Sequence, residues 1–339
     1  MRAVRCNAYG HYRDMAVEDV PPPAIAGPED VLIAVQAAGV SFANTLAVAG
    51  RHQNKAPVPF TPGTEVGGIV LDCGPGVTTC RPGDRVAAGM ENGGFAEQAV
   101  ARAVNVYRIP DGMDFATATH FPTLYGTAYG ALAARARLQP GEILLVHGAA
   151  GGTGLAAVEV GKAMGAVVIA TAGSPSKLAI AGEHGADHLV DYGREDVRER
   201  VLALTGGRGA DVVFDPVGGD VFDTSLRCTA PEGRILVIGF AAGRIPEIPA
   251  NILLVKNITV SGLYWGYHLG WGKTKAPPAQ QAALQDMMAV MFRWYEEGRL
   301  RPVTCARFDL ADFAPALDML VERRAIGKVV LTTGREEFA

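Results

Sequence analysis

Apolar and polar residues alternate from Val31 to Ala38 (VLIAVQAA) with the two-residue period of a half-buried strand. Downstream, turn chemistry interrupts the pattern at Pro62-Gly63, Gly67-Gly68, Pro75-Gly76, Pro82-Gly83 and Gly93-Gly94. Five breaks within about 35 residues leave no room for a long helix and predict the short strands of an irregular β-barrel. Near Phe121 to Tyr129 longer, Ala-rich helical patterns begin.

From Ile143 the chain changes period. Strands are predicted at Ile143 to His147, Val167 to Thr171, His188 to Asp191, Asp211 to Asp215, Ile235 to Gly239 and Ile258 to Leu263, with helices such as Leu155 to Met164 and Val197 to Leu204 between them. Apolar runs such as LLV, VVIA and ILVI suit strands covered on both faces, and their alternation with helices predicts an α/β fold with a six-stranded, doubly wound parallel sheet. After Trp265, an aromatic loop and a Pro277-Pro278 break lead to a helix around Leu284 to Glu297 and two further short elements. This last segment is expected to pack back on the first. No tandem repeat is present.

Composition narrows the class. At 339 residues, with 49% hydrophobic and 19% charged, the chain suits two domains that each bury a core. Thirty-one basic against 35 acidic residues leave a net charge of −4, without the basic excess that a nucleic-acid binder needs. The five cysteines, Cys6, Cys73, Cys80, Cys228 and Cys305, form no C-x-x-C pair and imply neither a disulfide framework nor a zinc knuckle. With no apolar run of about 18 residues and no apolar leader after Met1, the expectation is a reduced, cytoplasmic protein that neither enters nor crosses a membrane.

The segment LLVHGAAGGTG, 144 to 154, runs a buried strand through Ala150, Gly151, Gly152, Thr153 and Gly154 into a helix. Such a turn gathers free N–H groups and the positive end of a helix dipole at one point, which suits a dinucleotide pyrophosphate. The first glycine of G-x-G-x-x-G is Ala149 here. About 20 residues on, where an NAD site carries an acid for the ribose 2′-hydroxyl, the chain reads Thr171-Ala172-Gly173-Ser174-Pro175-Ser176-Lys177. Ser174, Ser176 and Lys177 offer donors and a positive charge to a 2′-phosphate, which favours NADPH over NADH. The alternative is that Ser174 caps a helix and Lys177 is solvated.

The order of parts resembles the medium-chain dehydrogenase/reductase superfamily. Within it, PFTPGTEVGGIV (59 to 70), RPGDRV (81 to 86), HGAAGGTGLAAV (147 to 158), FDPVGGDVF (214 to 222) and IPANILLVKNITVSG (248 to 262) are similar to the zinc-independent, zeta-crystallin-like quinone oxidoreductases. The resemblance implies a GroES-like catalytic domain at 1–122, a Rossmann domain binding NADPH at 123–264 and a return to the catalytic domain at 265–339. Zinc-dependent relatives hold metal with a Cys, a His-Glu pair and a second Cys. Here the matching positions read Ser41 and Thr64-Glu65, with no cysteine between Cys80 and Cys228, and no four-cysteine lobe. The resemblance further implies Lys177, Tyr192 and, with altered spacing, Arg324 at the 2′-phosphate. It places Asn44, Thr127, Phe240 and Leu263 around the nicotinamide, against the alternative of ordinary turn and core packing. It also implies a homodimer joined through the sixth strand, an edge with unpaired backbone groups.

Without a Lewis acid, acceptors that spread the incoming charge need least help. A quinone or an α,β-unsaturated carbonyl meets that condition, so the expected reaction is hydride transfer from NADPH to a conjugated carbonyl. Ser41 and His52 replace the Asn and Tyr common in relatives and are the candidate catalytic residues. His52 is a candidate proton donor or else an idle loop residue. Tyr264, Trp265, Tyr267 and Trp271 could stack on a flat acceptor or serve packing, and His147 reads as structural rather than as a base. The alternatives are an enoyl or alkenal reductase and an NADPH-binding protein with little turnover.

Overall fold

The six strand segments read from the sequence form the parallel strands β1 (Ile143–Val146), β2 (Val167–Ala172), β3 (His188–Asp191), β4 (Ala210–Asp215), β5 (Thr229–Val237) and β6 (Thr259–Gly262) of the computed structural model. The model describes residues 1–274 and 276–334. The strands lie in the order β3-β2-β1-β4-β5-β6, every pair parallel. The order reverses between β1 and β4, where a doubly wound sheet opens its ligand crevice. Leu144, Leu145, Val146, Val212, Val213 and Phe214 are fully buried, as strands covered on both faces require.

The helices α1 (Gly152–Ala163), α2 (Pro175–Glu183), α3 (Val197–Leu204) and α4 (Gly219–Cys228) connect these strands. β5 begins six residues before the apolar run that signals it. Its first residue pairs Ala210 with Thr229, and the register then jumps to Val212 with Arg234 across a bulge where Glu232 adopts φ 63°. This unit comprises Leu124–Tyr264 and Trp294–Arg301. Its second segment is tied in by Glu159 of α1, which is 1% exposed. The Glu159 carboxylate accepts from Tyr125 Oη at 2.5 Å, from the Arg301 N–H at 2.9 and 3.1 Å, and pairs with His184 Nδ1 at 2.5 Å. Burial and this carboxylate together push the Tyr125 hydroxyl well above its ordinary pKa.

The other unit gathers Met1–Thr123, Trp265–Arg293 and Pro302–Ala339. Its seven-stranded sheet runs in the order Thr304–Asp309, Lys328–Thr332, Asp30–Val40, Glu65–Cys73, Arg85–Gly89, Val106–Arg108, with Gln98–Arg102 also paired to Asp30–Val40. The C-terminal strands therefore complete the sheet of the N-terminal segment. After the helix near Leu284 to Glu297 the sequence pattern gives two short elements, whereas the structure has these two strands with a helix, Phe313–Val321, between them. That helix buries Phe313, Ala316 and Leu317, while its Asp318 accepts from Tyr12 Oη at 2.6 Å. The helix Pro278–Glu296 starts six residues before Leu284, with proline at its first position, where a missing N–H costs nothing. From 121 to 136 the backbone is helical but locally underwound, as two π-helical stretches flank the α-helical Gly126–Tyr129.

Candidate functional site

At the C-terminal end of β1 the backbone turns sharply at Gly148, φ 59°, and enters α1 within four residues. The turn is closed by Gly151 N–H on the Gly148 carbonyl at 3.0 Å and tied to β2 by Ala149 N–H on Thr171 O at 3.1 Å. A Cβ on Gly154 would stand 2.2 Å from the Gly148 oxygen, so only glycine lets the helix start this close to the strand. Gly151 caps the helix without a side-chain hydrogen bond, which leaves the N–H groups of its first turn for a ligand. This is the geometry that receives a phosphate at a helix N-terminus.

Beyond β2, Gly173 and Ser174 lead into α2, which carries Lys177, and Tyr192 follows β3. The Tyr192 ring lies across Gly173 so closely that a Cβ there would meet its hydroxyl at 2.7 Å. Tyr192 is 55% exposed, and its ring therefore faces both the glycine and solvent. Ser174 caps α2, accepting from the Lys177 N–H at 3.4 Å, and lies 3.1 Å from the Ser176 hydroxyl. Capping uses Ser174 as an acceptor, and either hydroxyl of the Ser174–Ser176 pair can be the donor. No acid stands at the end of β2. Asp191 does end β3, but its oxygens accept from the Gly193 N–H at 2.9 Å and face Arg194 at 3.8 Å.

The crevice wall beneath is a buried polar network. His147 Nε2 meets Ser225 Oγ at 2.9 Å, and because Ser225 donates to Val221 O at 2.9 Å, that nitrogen carries the proton. Nδ1 then accepts from Thr171 Oγ1 at 3.0 Å. Burial holds the His147 pKa below the ordinary imidazole value, so the ring is a neutral structural brace. Asp215, at the end of β4, accepts from the N–H groups of Val217 and Gly218 at 2.8 and 2.9 Å. Gly218, φ 70°, lets Phe240 approach: a Cβ there would be 3.0 Å from the Phe240 ring. Phe240 is 41% exposed, whereas Leu263 is buried and bonded through its N–H to Val237 O at 3.1 Å. Thr127 lies half-buried on Gly126–Tyr129.

In the other unit Ser41 and Asn44 belong to one short helix start. Asn44 Oδ1 accepts from the Ser41 N–H at 2.7 Å and from its hydroxyl at 3.0 Å. His52 sits half-buried in a turn whose Nδ1 is engaged with Asn54, 3.2 Å from its N–H and 3.1 Å from its carbonyl. Nε2 is the ring nitrogen left to face outward. The same Asn54 packs against Gly272, which follows Trp271 of the aromatic loop. Trp265 of that loop is committed to the fold, its indole donating to Pro122 O at 2.7 Å. Arg324 pairs with Glu322 at 2.6 Å.

Glu65 and Lys328 are a pair that motif reading does not join. They stand on strands at either side of Asp30–Val40, and Lys328 Nζ donates to Glu65 Oε1 at 2.5 Å with both side chains at 1% exposure or less. Thr64 Oγ1 donates to the other carboxylate oxygen at 2.5 Å. Gly39 passes between them, where a Cβ would lie 2.3 Å from Lys328 Cε and 2.7 Å from Glu65 Cγ. Nearby His120 is held well below its ordinary pKa by burial and by the Lys328 charge, and its Nε2 bonds Thr304 Oγ1 at 3.0 Å. Single charges of opposite sign inside the apolar strands EVGGIV and KVVLT are the signal that could have paired them.

A zinc-binding dehydrogenase family model matches residues 152–278, and an alcohol dehydrogenase GroES-like domain model matches residues 27–111. The chain is 40% identical over 334 residues to the quinone oxidoreductase-like protein 2 homolog of Nematostella vectensis, covering 98% of this chain and 89% of that one. It is 35% identical over 334 residues to the quinone oxidoreductase of Pseudomonas aeruginosa, covering 97% and 99% of the two chains. The crystal structure of Escherichia coli quinone oxidoreductase complexed with NADPH superposes with a TM-score of 0.87 at 26% identity, covering 98% and 100%.

The donor chemistry does not fit the zinc that one of these descriptions implies. Catalytic zinc takes three ligands from Cys, His and carboxylate, whereas the positions in question carry the hydroxyls of Ser41 and Thr64. Glu65 is already neutralised by an internal ammonium ion. Among the described residues, no three His, Cys, Asp or Glu side chains form a group that could hold a metal. Lys328→Met should therefore expose an uncompensated buried carboxylate and lower stability by about 3 to 5 kcal/mol in urea unfolding. Adding Glu65→Leu should recover most of that loss. A Lys328→Met protein as stable as the parent would mean that the pair is not closed.

Proposed function

The chain belongs to the quinone oxidoreductase branch of the medium-chain dehydrogenase/reductase superfamily, and from that premise we propose that it reduces a quinone or another conjugated carbonyl with NADPH, without metal. The observation that carries this reading is the uncapped glycine turn, followed beyond β2 by Gly173, Ser174 and Lys177 with the Tyr192 ring against Gly173 and no acid at the strand end. NADPH, when bound, supplies the hydride.

The chain's own residues bind and orient. The N–H groups of Gly152, Thr153 and Gly154 receive the pyrophosphate, with Ala150 and Gly151 giving backbone access. Lys177 offers charge, the Ser174 and Ser176 pair a hydroxyl donor and Tyr192 a phenol to the 2′-phosphate, with Arg324 as a further cation. Thr127, Phe240, Leu263 and Asn44 form the nicotinamide surroundings. Asn44 brings its side-chain NH₂, since its oxygen is taken by Ser41. Reduction of a conjugated carbonyl ends with an oxyanion that must be protonated; His52 Nε2 is the donor we assign, and Ser41, whose hydroxyl proton goes to Asn44, orients that amide. A homodimer joined at the β6 edge completes the proposal. No helix among the described residues is long and apolar enough to cross a membrane.

A panel of quinones and enones assayed anaerobically with NADPH and NADH tests the reading, and turnover of conjugated acceptors with NADPH is expected. Unconjugated ketones as the better substrates would overturn it. Lys177→Ala should weaken NADPH binding by about 1.5 to 3 kcal/mol and leave NADH nearly unchanged, the range for a hydrogen bond to a charged group. An equal loss for both cofactors would make Lys177 structural. With His52 as proton donor, kcat should fall on the alkaline limb of its pH profile. His52→Phe should remove that limb and lower the rate, and identical profiles would assign the proton elsewhere.

A further inference from the structure

The cysteines take no part in the chemistry above, yet two of them meet. Cys73 ends the strand Glu65–Cys73, and Cys80 stands on the return segment of the same hairpin. The return segment turns at Arg81–Asp84, where the Asp84 N–H bonds Arg81 O at 3.1 Å, and Cys80 stands just before that turn. There Cys73 Sγ donates to Cys80 O at 3.8 Å, and both side chains pack against the same apolar cluster, so the two cysteines are in contact.

Both side chains are partly exposed, so a small oxidant reaches them. The remaining cysteines differ: Cys6 and Cys228 are buried, and Cys305 is exposed with no second thiol beside it. We propose that Cys73 and Cys80 are an oxidation site, closing to a reversible intramolecular disulfide when the protein meets a peroxide. The Cys73 sulfur attacks one peroxide oxygen, the O–O bond breaks, and a sulfenic acid and hydroxide form. Cys80 sulfur then displaces the sulfenic oxygen, which leaves as water with the Cys80 proton. Hydroxide takes the proton that Cys73 lost. In sum two thiols are oxidised by two electrons, peroxide is reduced, and two waters leave.

The order of attack follows from the surroundings. Burial, reinforced by the facing Cys73 thiol and Asp84, pushes Cys80 up to about 11. Cys73 is also raised by burial and by Asp72 and Asp84, but the hydrogen bond from Cys80 works in the opposite direction. Cys73 is thus the first to ionise and Cys80 the resolving thiol. This site needs no cofactor and is independent of the reductase reading.

The full-length protein treated with hydrogen peroxide, denatured, alkylated with iodoacetamide and digested with trypsin decides the matter. Both thiols fall in one peptide, 56–85, because the Arg81-Pro82 bond resists trypsin. The expected product is that peptide, unalkylated and lighter by two hydrogens, restored by dithiothreitol, while Cys305 gives no such internal bridge. In Cys80→Ser, Cys73 should stop at a sulfenic acid that dimedone traps. Cys73 and Cys80 remaining alkylated in the parent protein, or each carrying its own oxygen adducts without a bridge, would overturn the proposal.

Discussion

No side chain fits between the Gly148 carbonyl and the start of α1. With a Cβ on Gly154 only 2.2 Å from that oxygen, the strand, turn and helix can close only on glycine. The close approach points the bare N–H groups of the helix start into the crevice where the sheet order reverses. The same device recurs twice around it. Gly173 admits the Tyr192 ring and Gly218 admits Phe240, so missing side chains shape the cradle as much as those present. Beneath it, the neutral His147 bridges β2 and α4 through Thr171 and Ser225 without placing a charge under a phosphate site.

The other unit solves a different problem. A carboxylate stands at the core of its sheet, and an ammonium ion on a strand contributed by the C-terminal segment neutralises it. Breaking one partner leaves a buried charge, which is far more costly than losing the pair together. The same pairing has a chemical consequence for the proposed reaction. With Glu65 so engaged and hydroxyls at Ser41 and Thr64, charge developing on an acceptor oxygen must be delocalised within the acceptor or met by hydrogen bonds. A conjugated carbonyl supplies that delocalisation itself.

Local sequence rules read the doubly wound sheet closely because strands such as β1 and β2 carry continuous apolar runs and helical patterns separate them. His188–Asp191 matches residue for residue. The register jump before Arg234 escaped because a bulge at Glu232 leaves no apolar signature. The helix Phe313–Val321 was missed since its short apolar pattern is completed by long-range contacts such as Asp318 with Tyr12. Glycine spacing disclosed the cradle, but the Tyr192 contact with Gly173 joins residues at the ends of two different strands. The Glu65–Lys328 pair links residues 263 positions apart, beyond any local rule.

The central claim we propose is that hydride passes from NADPH to a conjugated carbonyl, which for an enone means its β-carbon. NADPH carrying deuterium at C4, prepared as each of its two epimers, can be turned over anaerobically with an enone and the product analysed by mass spectrometry and NMR. The account predicts one deuterium at the carbon β to the carbonyl, transferred from one epimer only. Product without deuterium from either epimer, or deuterium on the carbonyl carbon, would contradict it.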